Sequence, residues 1–273
     1  MALNLDAPLW LIGAGKMGCA MAAGWLEEGL DPVMIRVQDP GPSDEARTLF
    51  DKFGVKITAE ISTDAKPSVV VLAVKPQIMD KVLPSLKPVI GPDSLLLSIA
   101  AGRTIDSLMK FFEPTTALVR SMPNTPAAIG RGMTVCVGNN HVTDRQKETC
   151  TTLLNAVGEV AWVKDEKLMD AVTAVSGSGP AYIFLLAEAM TEAGVKAGLD
   201  VELATKLARA TISGAGELLH LSDVDATQLR KNVTSPGGTT AAALDVLMAE
   251  PGMHDLLARA IKAATERSKE LAS

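Results

Sequence analysis

The chain has 273 residues, with 26 Lys plus Arg against 32 Asp plus Glu and a formal net charge of -6. Hydrophobic residues make up 47% and charged residues 21%, which supplies a sizeable core, allows two domains and excludes wholesale disorder. The acidic balance and the lack of a Lys/Arg-rich tail argue against a nucleic-acid partner.

The first half alternates strand-like and helix-like segments. Leu9–Ile12 is a short apolar run before glycines, and Lys16–Glu28 has helical spacing with Met17, Met21, Trp25 and Leu26 apolar. Val33–Val37 reads as a second strand, Ser43–Phe53 as an amphipathic helix and Val55–Ile57 as a short edge strand. Val69–Val74 is β-branched and almost wholly apolar, the pattern of a strand covered on both faces, and Leu95–Ile99 repeats it. Leu118–Val119 and Met133–Val137 add two candidates. Thr143–Asn155 reads as a helix, Thr143 and Gln146 fitting a capping box, and Gly158–Val163 as a final strand. The alternation predicts an α/β, mostly parallel sheet with helices on both faces.

From Asp165, a helix cap, the period changes. Leu168–Val175, Pro180–Ala193, Val201–Leu219, Thr240–Ala249 and Met253–Leu271 read as helices, and no strand pattern returns. The boundary falls near 163–165, giving domains 1–163 and 164–273. Pro180–Ala193 is apolar nearly all round, so it is either shared with a second subunit or an ordinary core helix. Gly214 and Gly216 lie inside a helical pattern, where each costs about 1 kcal/mol relative to alanine, and close helix approach would offset that.

Val69–Val74, the longest clearly apolar run, is far short of the roughly 18 residues of a membrane helix, so no membrane partner is expected. Cys19, Cys136 and Cys150 match no zinc or disulfide spacing, and the first residues lack the basic segment and apolar stretch of a signal peptide. An odd number of thiols suits a reducing compartment; a soluble, cytoplasmic protein is expected. His141, His220 and His254 have no ligand-spaced partners, so no metal is expected.

Gly13-Ala14-Gly15-Lys16-Met17-Gly18 follows the first predicted strand and opens a helix. Gly13 permits the turn, Gly15 lets a pyrophosphate approach the backbone, and Gly18 lets the helix pack on the sheet. The helix start supplies amides and a favourable dipole for phosphate. The motif therefore points to a dinucleotide site; the alternative is a fold of the same kind without cofactor. Asp39 ends the second strand, where a carboxylate can accept hydrogen bonds from both ribose hydroxyls and repels a 2′-phosphate. It can equally be a turn residue before Pro40, and Arg36 or Arg47 can answer a 2′-phosphate, so NADH against NADPH stays open. Ala73-Val74-Lys75-Pro76 follows the buried strand at the edge that faces the ligand crevice. Lys75 there can meet cofactor or an acidic substrate, or be a solvated turn residue. Ala100-Ala101-Gly102 holds the equivalent place after the next strand and leaves room for a flat nicotinamide ring.

These motifs occur with RSMPNTP at Arg120–Pro126, SGSGPAY at Ser176–Tyr182, EAGVKAGL at Glu192–Leu199 and SPGGTT at Ser235–Thr240. In this order and spacing the chain closely resembles the pyrroline-5-carboxylate reductase family over nearly its whole length. The resemblance implies a Rossmann-like domain followed by a helical domain that interlocks with its twin, in dimers often assembled as a decamer, a pentamer of dimers. It implies hydride transfer from NADPH or NADH to 1-pyrroline-5-carboxylate, giving L-proline in the last step of proline biosynthesis.

It also implies that amides from Gly238 to Thr240, in a loop opened by Gly237, bind the substrate carboxylate. Thr239 belongs to that loop, and Thr240 holds the position of the hydroxyl donor to the ring nitrogen. Read alone, Ser235–Thr240 is a helix N-cap. The resemblance places the Met122–Pro126 loop beside nicotinamide and substrate; Asn124 then bonds to the cofactor or is a structural turn residue. Ser178 caps the next helix or lines the pocket. The family commonly has an acidic residue where Lys231 stands, which removes Lys231 from the catalytic set. The β-hydroxyacid dehydrogenases share the layout but need a lysine four residues after a glycine motif, where this chain has Ile183.

Overall fold

In the computed structural model, which describes residues 5–61 and 66–272, the first strand is four consecutive apolar residues, Leu9–Ile12 (β1), buried along its whole length. There follow α1 (Lys16–Glu27), β2 (Ile35–Gln38), α2 (Asp44–Lys52), β3 (Ile57–Thr58), β4 (Val69–Leu72), α3 (Pro76–Leu86) and β5 (Leu95–Ser98). Then come α4 (Ile105–Met109), β6 (Ala117–Met122), β7 (Gly132–Gly138), α5 (Asp144–Asn155) and β8 (Gly158–Trp162). The strands form one sheet in the order β3-β2-β1-β4-β5-β6-β7-β8, parallel throughout except between β6 and β7. That exception follows from chain length: only a short 3-10 turn, Thr125–Ile129, joins β6 to β7, whereas a parallel return needs a long crossover.

Both faces of the central strands are covered, which is why their sequences are apolar without alternation. Leu11, Val71 and Leu97 pack in one cluster with Met21 and Trp25 of α1 and Phe50 of α2. Trp10, Val70 and Leu96 pack in the other with Met79, Leu83 and Leu86 of α3. Helix starts follow local chemistry. Ser43 Oγ accepts from the Ala46 amide at α2, Pro76 opens α3, and Thr143 and Gln146 make the expected capping box on α5.

Two expected strands are displaced. Pro32–Met34 form a 3-10 turn capped by the Asp31 carboxylate, so β2 starts at Ile35 and Val33 is exposed. Val55 is buried, but its amide closes the end of α2 on the Phe50 carbonyl, and pairing starts at Ile57.

Beyond β8, the helix expected over Leu168–Val175 is split in three. Asp165 caps a 3-10 turn, Glu166–Leu168, which leads into α6 (Met169–Val172) and then a π-helical turn, Thr173–Gly177. The remaining helices are α7 (Gly179–Lys196), α8 (Val201–Leu221), α9 (Ala226–Asn232), α10 (Thr239–Leu247) and α11 (Met253–Ala272). Helix α9 is additional to the expected helices, and its signal is Asp225 accepting from the Gln228 amide. By compactness the protein divides into one unit of residues up to Gly177 together with the segment from Thr265, and a second of Ser178–Ala264. In the second unit α7 packs on α8, with Gly194 close enough to Ala204 that an added Cβ would lie 3.3 Å from its methyl. Among the described residues no helix is long and apolar enough to cross a membrane.

Candidate active site

The parallel register Ile12–Leu72–Ser98–Arg120 aligns the carboxyl ends of β1, β4 and β5 with Arg120, near the carboxyl end of β6. The segments that follow, Gly13–Gly18, Ala73–Lys75, Ile99–Gly102 and Met122–Pro126, therefore leave the sheet along one edge. The strand order reverses between β1 and β4, which places the glycine loop at the switch point where such sheets bind ligands.

The loop fits a dinucleotide. Gly13 has φ +102, and a Cβ there would lie 2.8 Å from the Ala73 carbonyl oxygen, so only glycine is accommodated. A Cβ on Gly18 would run into the Gly13 carbonyl, which explains how closely α1 approaches the loop. At Gly15, the N-cap of α1, nothing lies within 4 Å of an added Cβ and no side chain caps the helix. An open backbone surface thus remains for phosphate at an uncapped helix start, beside exposed Lys16 and half-buried Met17.

Asp39 is fixed beside this loop. Its Oδ2 accepts the Ala14 amide and its Oδ1 the Gly41 amide, both at 2.8 Å. Each oxygen keeps lone-pair capacity for a further donor. Cys19, one turn into α1, donates to the Ala14 carbonyl at 3.2 Å. Burial, with the Asp39 and Glu45 carboxylates nearby, pushes its thiol pKa up, so it stays protonated at neutral pH.

On the same edge Lys75 is the exposed N-cap of α3, and Ala100 is buried while Ala101 is exposed. Gly102 has φ +73, and its Cβ position is 3.2 Å from the Leu271 carbonyl oxygen, so the end of α11 lies against this loop. The same helix end is tied down by Ser268, whose hydroxyl donates to Asp170 at 2.7 Å.

Three contributors were not singled out from the sequence. Arg120, buried within β6, pairs with Glu166 Oε1 at 2.8 Å, and the same oxygen accepts the Ile105 amide at 2.8 Å. An arginine in a buried strand is the signal that a partner must exist. Ser176, the third, accepts hydrogen bonds from the Asn124 side chain with its carbonyl and its Oγ.

In the second unit Gly237, with φ +71, turns the chain, and the Gly238 amide donates to the Ser235 carbonyl at 3.1 Å. Gly238 is then the N-cap of α10, no side chain caps it, and Thr239 and Thr240 are the first helical residues. With the Gly238 amide engaged by Ser235, the Thr239 and Thr240 amides stand at an uncapped helix start, suited to a carboxylate. Ser178 is the N-cap residue of α7 and makes no side-chain cap bond.

Comparison with known proteins agrees with this layout. Residues 166–271 match the family described as pyrroline-5-carboxylate reductase dimerisation, and residues 9–102 the family described as NADP oxidoreductase coenzyme F420-dependent. The pyrroline-5-carboxylate reductase of Pseudomonas aeruginosa is 43% identical over 264 residues, covering 96% of this chain and 95% of that protein. The solved structure of a pyrroline-5-carboxylate reductase from Coxiella burnetii superposes with a TM-score of 0.91 at 35% identity, over 98% of this chain and 100% of that one. The Plasmodium falciparum pyrroline carboxylate reductase, solved with NADP bound, gives 0.82 at 32% identity, over 98% and 99%. With the cofactor-type loop, the uncapped Ser235–Thr240 turn and full-length relatives in agreement, the chain belongs to the pyrroline-5-carboxylate reductase family.

Proposed function

We propose that the protein reduces the C=N bond of 1-pyrroline-5-carboxylate to give L-proline, the last step of proline biosynthesis, with NADPH or NADH as reductant. The observation that carries this reading is the extent of the family match, 96% of the chain at 43% identity, which includes both the glycine loop and the Ser235–Thr240 segment.

The dinucleotide, when bound, supplies the hydride. Gly13–Gly18 hold its pyrophosphate, Asp39 meets the adenosine ribose, and Ala73–Lys75 and Ala100–Gly102 border its nicotinamide half. The amides of Thr239 and Thr240 grip the substrate carboxylate, in the loop that Gly237 opens and Gly238 borders, and Ser178 lines the substrate pocket. The Thr240 hydroxyl holds the ring nitrogen. It serves either protonation state, accepting from an iminium N–H or donating to the lone pair of a neutral imine. Since the iminium is the better hydride acceptor, no strong acid is required of the protein.

We take residues 1–163 as the cofactor-binding domain and 164–273 as the dimerisation and substrate-binding domain. The working assembly is a homodimer, extended to a decamer as a pentamer of dimers. Support comes from α7, which buries none of its residues within one chain although Ile183, Phe184 and Leu185 are 47%, 62% and 62% exposed. A cytoplasmic location is supported by the three cysteines, all free thiols.

The test is a direct assay of NADH and NADPH oxidation with 1-pyrroline-5-carboxylate, other cyclic imines and 2-oxo acids in parallel. Highest kcat/KM is expected for 1-pyrroline-5-carboxylate. Turnover of another cyclic imine or a 2-oxo acid with none of 1-pyrroline-5-carboxylate would overturn the reading.

A further inference from the structure

Asn124 stands at the N-cap of the 3-10 turn Thr125–Ile129, where asparagine ordinarily bends back onto an amide of the following turn. Here it makes no cap bond. Its Oδ1 accepts the Met133 amide at 2.9 Å, and its Nδ2 donates to the carbonyl and to Oγ of Ser176, each at 3.2 Å. One side chain thus joins the loop after β6, the start of β7 and the π-helical turn Thr173–Gly177. A second contact runs the same way, because a Cβ on Gly177 would collide with the Met122 Cε.

The donor capacity of the Asn124 amide is directed at Ser176, and one lone pair of its oxygen at Met133. A π-helical turn is a rare backbone, found mostly at functional positions. This one brings Ser176 and Gly177 onto the two ends of the segment Met122–Asn124.

We propose that Asn124 is a positioning residue. It clamps the Met122–Pro126 loop between β7 and the π-helical turn, and so fixes the backbone that borders the nicotinamide, without itself touching the cofactor. The proposal rests on the function given above for the place of this loop, and it assigns Asn124 differently from the cofactor contact suggested by the motif.

The test uses the full-length protein and the variants Asn124→Ala, Asn124→Asp, Ser176→Ala and Asn124→Ala/Ser176→Ala. Readouts are amide hydrogen exchange without cofactor, direct titration of NADH and NADPH, and steady-state kinetics. In Asn124→Ala, residues 122–127 and 173–177 gain exchange together. Its kcat falls on the order of 10- to 100-fold, the size expected for a displacement of about 1 Å at a reacting site. Cofactor Kd stays within about threefold. Ser176→Ala gives a smaller loss of the same kind, and the double variant is no worse than Asn124→Ala. Asn124→Asp keeps the acceptor for Met133 but loses the donor. Its kcat relative to wild type therefore rises as pH falls through the carboxylate range and the donor returns. If Asn124→Ala does not fold, Asn124→Asp and Ser176→Ala carry the comparison. Unchanged exchange at 173–177 with weakened cofactor binding would make Asn124 a direct cofactor ligand, and additive losses in the double variant would uncouple it from Ser176; either result overturns the proposal. A wild type unable to turn over 1-pyrroline-5-carboxylate, but with the coupled exchange response, would remove the functional reading and leave the clamp standing.

Discussion

Asp39 combines an anchoring bond with a selective charge. Its carboxylate holds the Ala14 amide of the glycine loop and the Gly41 amide of its own turn, so the charge cannot swing away from a ribose placed there. We expect NADH to be preferred to NADPH. In Asp39→Ser the ratio of their kcat/KM values should fall by about tenfold, equivalent to about 1.4 kcal/mol of lost repulsion. An unchanged ratio would pass the role to Arg36 or Arg47. Thr240→Val keeps the branched shape and the α10 amides but removes the hydroxyl. We expect kcat/KM to fall roughly 30-fold, about 2 kcal/mol, with cofactor affinity by titration unaltered. Wild-type kcat/KM across the pH range would reduce Thr240 to part of the helix cap. The glycine loop was legible because tight turns and close backbone approach demand glycine at fixed spacing. The Asn124 clamp was not, because its partners lie 9 and 52 residues away and only the folded sheet brings them together.

At the scale of elements, Glu166 does more than start a turn. One of its oxygens serves both the buried Arg120 of β6 and the Ile105 amide at the head of α4. Glu166→Ala leaves a buried cation and a backbone donor without their partner. Because Glu166 is itself partly exposed, water offsets part of the loss, and urea denaturation should show a destabilisation of about 2–3 kcal/mol. A change below about 0.5 kcal/mol would mean that solvent replaces the carboxylate. Central strands such as Val69–Leu72 were legible since burial on both faces leaves a continuous apolar run. The stretch after Asp165 was not, because a 3-10 turn, a short α-helix and a π-helical turn share no single period. Pattern reading merged them into one helix.

For the whole molecule, α7 is an apolar element that one chain leaves largely uncovered, with no residue fully buried. Phe184→Glu places a charge on that apolar surface, and in a symmetric dimer it does so twice. Light scattering at micromolar concentration should show the wild type as at least a dimer and Phe184→Glu shifted toward monomer, with Tm lowered. A stable, fully active wild-type monomer would defeat the dimer reading. The sequence pattern could mark this helix as too apolar for solvent, but not what covers it, since periodicity carries no information about a second copy.

The first unit is discontinuous, since α11 begins among the residues of the second unit and ends, from Thr265, among those of the first. Leu271 against Gly102 and Ser268 on Asp170 are thus late contacts in the order of synthesis. At about 5–20 residues per second a ribosome needs roughly 4–17 s to make residues 178–264. Throughout that interval the Gly102 loop and Asp170 lack these two partners. The first unit is thus completed only after the chain has passed Thr265, although its sheet is made from residues before Gly177.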